Sequence, residues 1–222
     1  MLSQIRRTIN WIALWDRHYR FLFEAEHENE AVSLDCETTG FDSWVDEIVS
    51  VAAIRISGRR IRASSAFRAL VRPESAIRPA SIKVHQLREQ DVAGARPMAE
   101  VLPELLHFIE SRPLVGYWID FDVSMIDKYL LSMINIRLPN RRIDVSKLYY
   151  DRKFATAPAG TRVDLRYAAI LADLKLPLRP QHDAFEDALG AAEMYLMLED
   201  MRQRGVRLAR QLPELTGVFP LG

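Results

Sequence analysis

Between residues 31 and 72 the apolar residues arrive in short β-branched runs separated by turn residues, and this pattern limits the chain to folds built around a sheet. AVSLD (31–35) and EIVSVAAIRI (47–56) read as strands, Ser57-Gly58 supplies a turn, and RIRASSAFRALVRP continues as a third strand that Pro73 ends. The spacing predicts a three-stranded antiparallel meander. Beyond it the period becomes helical. MAEVLPELLHFIES (98–111), with Pro103 in its first turn, precedes a buried strand in PLVGYWI (113–119), and a helix is expected over 122–134. Asp164 is expected to cap a helix in DLRYAAILADL, and a last long helix should run from about Asp183 to Arg204. Strands first, then alternating helices and strands, specify an α/β or α+β domain on a mixed sheet.

The first 29 residues read differently. Ile5, Ile9, Ile12, Trp15 and Tyr19 recur at spacings of three and four before the acidic break EAEHENE. An N-terminal helical extension over 1–29 is predicted, packing Trp11 and Trp15 on a domain over 30–205; a docking helix for a partner is the alternative. A C-terminal tail over 206–222 completes the division. With 222 residues, 49% apolar and 27% charged, the chain can bury one sizeable core and is too apolar for disorder. Lys plus Arg and Asp plus Glu are both 30, so no global basic field draws it to a polyanion, and any such site must be local. Of the basic residues 25 are arginine, suited to bidentate contact with phosphate or carboxylate. The single cysteine, Cys36, precludes an intrachain disulfide and a multi-cysteine zinc site, which points to a reducing, cytoplasmic setting. No run of 18 apolar residues occurs, and Asp16, Arg17, His18 and Arg20 interrupt the N-terminal patch, so neither a signal peptide, a spanning helix nor a membrane partner is expected.

Three clusters can carry chemistry. In LDCETTG (34–40), Asp35 and Glu37 are two apart and project from one face of a strand, a carboxylate pair suited to hard ions such as Mg²⁺ or Mn²⁺. Thr38, Thr39 and Gly40 follow as a small turn that a substrate can approach closely. In GYWIDFDVSMIDKYL (116–130), Asp120 and Asp122 occupy the turn into a helix, where carboxylates also cap N–H groups, and Phe121 between them reads as core. In QHDAFEDALGAAEMY (181–195), His182 precedes a helix and Asp187 lies a turn inside it. If Asp187 faces the carboxylate pair it completes a metal shell, and His182 can take a proton from water near neutral pH. Singly, each cluster also fits a solvated strand end, a helix cap, or a surface histidine beside an Asp183 N-cap.

Taken together, in order and separation, the clusters resemble the DEDDh group of DnaQ-like 3′-to-5′ exonucleases. The D-x-E-T-T-G motif matches Asp35, Glu37, Thr38, Thr39 and Gly40; Phe-Asp matches Phe121 and Asp122; H-x-x-x-x-D matches His182 and Asp187. The likeness covers roughly residues 31–200, and residues 81–110 are similar to the segment between the first two motifs in proofreading-subunit relatives. It implies a ribonuclease-H-like fold, a central mixed five-stranded sheet flanked by helices, acting on 3′ ends of single-stranded DNA, or less favourably RNA, in replication or repair. A DNA polymerase is the partner it suggests. By the resemblance, Asp35, Glu37 and Asp187 would hold one Mg²⁺ or Mn²⁺ with its attacking water, Asp35 with Asp122 would position a second, and His182 would be the general base. The main chain and side chains around Thr38 and Thr39 would meet the terminal 3′-hydroxyl, His85 or Phe41 would line the nucleotide pocket, and Gly40 and Phe121 would complete the substrate-binding set. One departure bears on substrate preference: many relatives have His-Asn where this chain has Tyr117-Trp118.

Local arginine groups, Arg59-Arg60-Arg62, Arg141-Arg142 and Arg202 to Arg210, are candidates to track a strand's backbone, although a solvated face is the simpler reading. A non-catalytic docking module of the same fold is the rival from another class. A haloacid-dehalogenase-like phosphatase fits worse, because that chemistry wants a second Asp where Glu37 stands and a later Lys that has no clear place.

Overall fold

Ten residues rich in Val, Ile and Ala make β2 long enough to pair on both of its edges, and the sheet grows from it. The computed structural model describes residues 2–158 and 160–209. Its strands are β1 (Glu30–Thr38), β2 (Ile48–Ser57), β3 (Arg60–Ile61), β4 (Phe67–Leu70), β5 (Leu114–Gly116) and β6 (Arg142–Asp144). They form one sheet in the order β3-β2-β1-β5-β6, with β4 also paired to β2. β1 is antiparallel to β2 and parallel to β5, which is parallel to β6, so the sheet is mixed. The third strand read from RIRASSAFRALVRP is broken in two, so the sheet has six strands among the described residues. A 3-10 turn at Ala63–Ser65, in which the Ser65 N–H and hydroxyl both bond Arg62 O, separates β3 from β4, and both pair with β2.

The helices are α1 (Leu2–Ala13), α2 (Pro79–His85), α3 (Glu89–Val92), α4 (Met98–Ile109), α5 (Ile119–Ile134), α6 (Val145–Lys153), α7 (Tyr167–Asp173) and α8 (Ala184–Gln203). Period-two alternation gives β1 two different faces. Val32, Leu34 and Cys36 join the main core with Leu102, Leu105 and Leu106 of α4 and Val123, Ile126 and Leu130 of α5. Ala31 lies in a second core that includes Ala191, Ala192 and Met194 of α8, and Ser33 on the same face donates its hydroxyl to Ala188 O at 2.7 Å. Helices thus cover both sides of the sheet.

Several boundaries differ from the expectations. α5 begins at Ile119, so Asp120 and Asp122 stand in its first turn instead of preceding it. Gly116 permits this early start: a Cβ there would meet Ile119 Cδ1 at 2.8 Å and Leu34 O at 2.9 Å. Pro103 lies inside α4 and not in its first turn, forgoing one backbone bond. Asp164 does not cap α7, because Arg166 captures its carboxylate through both main chain and guanidinium and itself stands at the N-cap.

Residues 2–29 hold α1 and a 3-10 helix, Arg17–Phe23. Leu14 and Leu22 are buried in the main core, and the Asn10 amide pairs with the main chain of Arg137 in both directions, at 2.9 and 3.3 Å. The two tryptophans expected to pack on the domain do not do so alike. Trp11 meets Phe23 edge-on within the segment, whereas Trp15 is 69% exposed. Most of the tail read over 206–222 lies outside the described residues. Among the described residues no helix is long and apolar enough to cross a membrane.

Candidate active site

Asp35 and Glu37 share the α8 face of β1, and the register with β2 holds through both before slipping at a bulge between Glu37 and Thr38. β5 pairs with β1 only at Val32 and Ser33, which leaves the far end of β1 with an open edge. Asp122, in the first turn of α5, closes it by accepting the Cys36 N–H at 2.9 Å. On the other side, the buried Ala184, Ala188 and Ala191 let α8 lie close to the sheet. Asp187, beside Ala188, is thereby brought to the strand.

One carboxylate oxygen from each of Asp35, Glu37 and Asp187 falls within 4.8 Å of the others. These groups hold their protons tightly. Burial pushes the Asp35 carboxyl well above the usual range, and the neighbouring Asp122, Asp187 and Glu37 push it further. Asp122 is raised to about 8, chiefly by burial and against the Cys36 N–H, which favours the ionised form. Glu37 is raised to about 7 by burial and by Asp187 and Asp183. Asp187 is raised by burial, with the His182 N–H opposing. An all-oxygen set, crowded and short of positive charge, fits a hard divalent cation, with no thiolate or imidazole among its donors.

These acids stand in a cleft of about 540 Å³. His182 lines it from the position before the Asp183 N-cap, with φ +67° and its main-chain N–H donated to Asp187 Oδ2 at 2.7 Å. Its ring is exposed, and no described group hydrogen-bonds to it. His85 also lines the cleft but is fully engaged. Its Nδ1 accepts the Leu87 N–H at 3.1 Å and its Nε2 meets Thr38 O at 3.2 Å, the pattern of a neutral ring, and burial lowers its pKa. It ties α2 to the end of β1.

Of the other residues singled out, Thr38, Phe41 and Phe121 line the cleft, with Phe121 also packed against the main core and 6.4 Å from the Phe41 ring. Thr39 and Gly40 do not reach it. The Thr39 hydroxyl accepts the Glu47 N–H at 2.9 Å and meets Asp46 Oδ1, and Gly40 O accepts the Thr38 hydroxyl at 2.6 Å, so both serve the turn itself. Asp120 is taken up by Arg142 and Lys147 on the surface. Within the arginine groups, Arg59 pairs with Asp200, Arg141 with Glu26, Arg142 with Asp120 and Arg202 with Glu199, while Arg210 lies outside the described residues.

The cleft includes residues that no motif flagged, notably Tyr167, Gln181 and Ser81. Tyr167 donates its hydroxyl to Asp187 O at 3.1 Å, and Gly190 makes room for that hydroxyl, since a Cβ there would stand 2.0 Å from the Tyr167 oxygen. Gly190→Ala is therefore expected to lower stability by about 1–2 kcal/mol despite the better helix former, because overpacking outweighs the propensity gain. Tyr167→Phe in the same chain should recover most of the loss in thermal unfolding; strictly additive effects would refute the contact.

Comparisons with known proteins place the chain among nucleases. A family model described as exonuclease, RNase_T, matches residues 32–195. A PolC-type DNA polymerase III from Caldanaerobacter subterraneus is 29% identical over 194 residues, 85% of this chain but 13% of that protein. A DNA polymerase III subunit epsilon from Aquifex aeolicus is 29% identical over 171 residues, covering 77% of this chain and 81% of its own. The chain thus spans only about an eighth of the PolC-type relatives it matches. Among solved structures, an E. coli ExoI–ssDNA complex superposes with a TM-score of 0.67 at 16% identity, over 80% of this chain and 42% of that one. Exonuclease X in complex with 5′ overhanging duplex DNA gives 0.58 at 22% identity, over 80% and 95%. At such identities the structures speak for a shared fold.

Proposed function

The chain belongs to the RNase_T exonuclease family, of the DnaQ-like 3′-to-5′ kind, and on that premise we propose that it shortens single-stranded nucleic acid from the 3′ end, DNA in preference to RNA, releasing nucleoside 5′-monophosphates. Its mixed sheet flanked by helices is the ribonuclease-H-like fold. The observation that carries the proposal is the convergence of three carboxylate oxygens within 4.8 Å inside an aromatic-sided cleft.

Asp35, Glu37 and Asp187 would hold one Mg²⁺ or Mn²⁺, and Asp35 with Asp122 a second. Divalent ions there supply neutralising charge at the phosphodiester and a water of lowered pKa. The chain's own residues do the rest. Asp122 stays fixed by the Cys36 N–H, and Asp187 by His182 N and the α8 backbone. His182, exposed beside the acids, takes the proton of the attacking water, because His85 has no free nitrogen for the task. The epsilon-subunit and PolC-type relatives support a DNA polymerase as partner and a cytoplasmic setting.

The test is end-labelled DNA and RNA of matched sequence, single- and double-stranded, incubated with Mg²⁺ or Mn²⁺ and followed over time. Stepwise release of mononucleotides from the 3′ end of single strands is expected. Binding without shortening in either metal would mark a docking module, and faster loss of RNA would reassign the substrate. His182→Ala should lower turnover by about 10²- to 10⁴-fold.

A further inference from the structure

Trp118 occupies a place for which the fold alone gives no reason to choose tryptophan. It joins β5 to α5 with φ +57° and ψ +35°, a left-handed conformation that suits glycine or asparagine and disfavours a bulky side chain. Burial does not offset the strain, since the indole is 61% exposed. The local hydrogen bonds do not need it either: Trp118 N donates to Asp144 Oδ1 at 3.3 Å and Trp118 O accepts from Phe121 N at 2.9 Å, and neither involves the ring.

The ring is nonetheless held in a definite place. It lies 24° from parallel to the Tyr117 ring, with centroids 5.9 Å apart. Tyr117 is in turn anchored, its hydroxyl donated to Leu165 O at 2.9 Å and its ring set at 77° to that of Tyr167 with centroids 5.3 Å apart. Trp118 lines the same cleft as the carboxylates, as does Phe41, which is 77% exposed. Neither lysine nor arginine is among the described residues lining that cleft. A polyanion entering it meets acids and aromatic rings, so side-chain charge cannot supply the grip.

We propose that Trp118, braced by Tyr117, is a base-stacking, specificity-determining residue that takes the π-face of an unpaired nucleobase at the 3′ end of the substrate, with Phe41 as a second platform. This deepens, and rests on, the exonuclease reading of the cleft. Stacking is worth a strong dependence on the base itself and little on its identity, because every base offers a π-face. It also demands an unpaired end.

The experiment compares kcat/KM in Mn²⁺ for a labelled oligo-dT and for the same strand carrying a single abasic tetrahydrofuran residue at its 3′-terminal position, so that phosphate charge is constant. The parent protein should favour the base-bearing end by about 5- to 150-fold, the factor that stacking of one base is worth. Trp118→Asn should lower the preference severalfold, leaving only what Phe41 supplies, through KM rather than kcat, with thermal stability unchanged or raised because strain is relieved. Trp118→Phe should keep much of it. A Trp118→Asn protein that retains the full preference, loses activity equally on both strands, or unfolds would overturn the proposal, as would a parent indifferent to the bases. A parent that cleaves neither strand defeats the exonuclease reading itself, a distinguishable result.

Discussion

The Asp35→Asn protein is expected to be more stable than its parent in the absence of metal and to have lost on the order of 10³-fold or more of its exonuclease activity, beyond the loss of a single charge-stabilising donor. Both effects have one cause. Asp35 is crowded by Asp122, Asp187 and Glu37 in a buried setting, which holds its carboxyl far above the usual range. An amide of the same shape removes that repulsion from the folded state, and removes the charge with which a divalent cation would be held. Sites arranged for function commonly carry such instability. Thermal unfolding in EDTA should give the variant the higher midpoint, while Mn²⁺ should raise the midpoint of the parent much more than that of the variant. A variant that is less stable in EDTA, or equally responsive to Mn²⁺, would show that Asp35 is a structural residue.

Metal-free protein should also lose stability as pH rises. Glu37 titrates at about 7 and Asp122 at about 8 in the folded chain, against about 4 for such groups when unfolded. Between those limits the folded state holds protons that the unfolded state has released. Stability therefore falls with rising pH, by up to about 1.4 kcal/mol per unit for each group. The contribution is complete below the unfolded values and is lost through pH 7 to 8. His85, kept neutral by burial, acts in the opposite sense below about pH 6.5 and offsets part of the fall there. Acids with lowered pKa, such as Asp164 at about 2, titrate beneath the window. In EDTA the unfolding midpoint should drop by on the order of 10 °C between pH 5 and 8. Because cations replace the protons, the rise produced by Mg²⁺ or Mn²⁺ should be largest at pH 8. A flat profile, or a metal effect independent of pH, would count against carboxylate ligation.

How much of this was legible beforehand depended on the range of the interaction. Period-two alternation puts Asp35 and Glu37 on one face whatever the rest of the chain does, and Asp183 reads as an N-cap from its position before a helical run, where it accepts the Phe185 and Glu186 N–H groups. Asp164 reads the same way and is not one, since Arg166 two residues on competes for its carboxylate at 2.6 Å. The distinction rests on which neighbour reaches the carboxylate, which spacing does not encode. Thr39 and Gly40 sit in the motif, yet the turn consumes their polar groups, and Tyr167, twenty residues from Asp187, had no signal at all.

From the order of its residues alone this chain could be read as a mixed sheet with helices, bearing acids at a strand end, at the entry to one helix and inside another, because backbone periodicity and capping are local. Only the folded molecule decided that β5 stops short and leaves Asp122 an open edge, that small alanines let α8 bring Asp187 to β1, and that Trp118 stands strained and exposed in the same cleft as the acids. Those outcomes depend on distances between segments remote in the chain, which are settled by packing volume and by which buried N–H finds which oxygen.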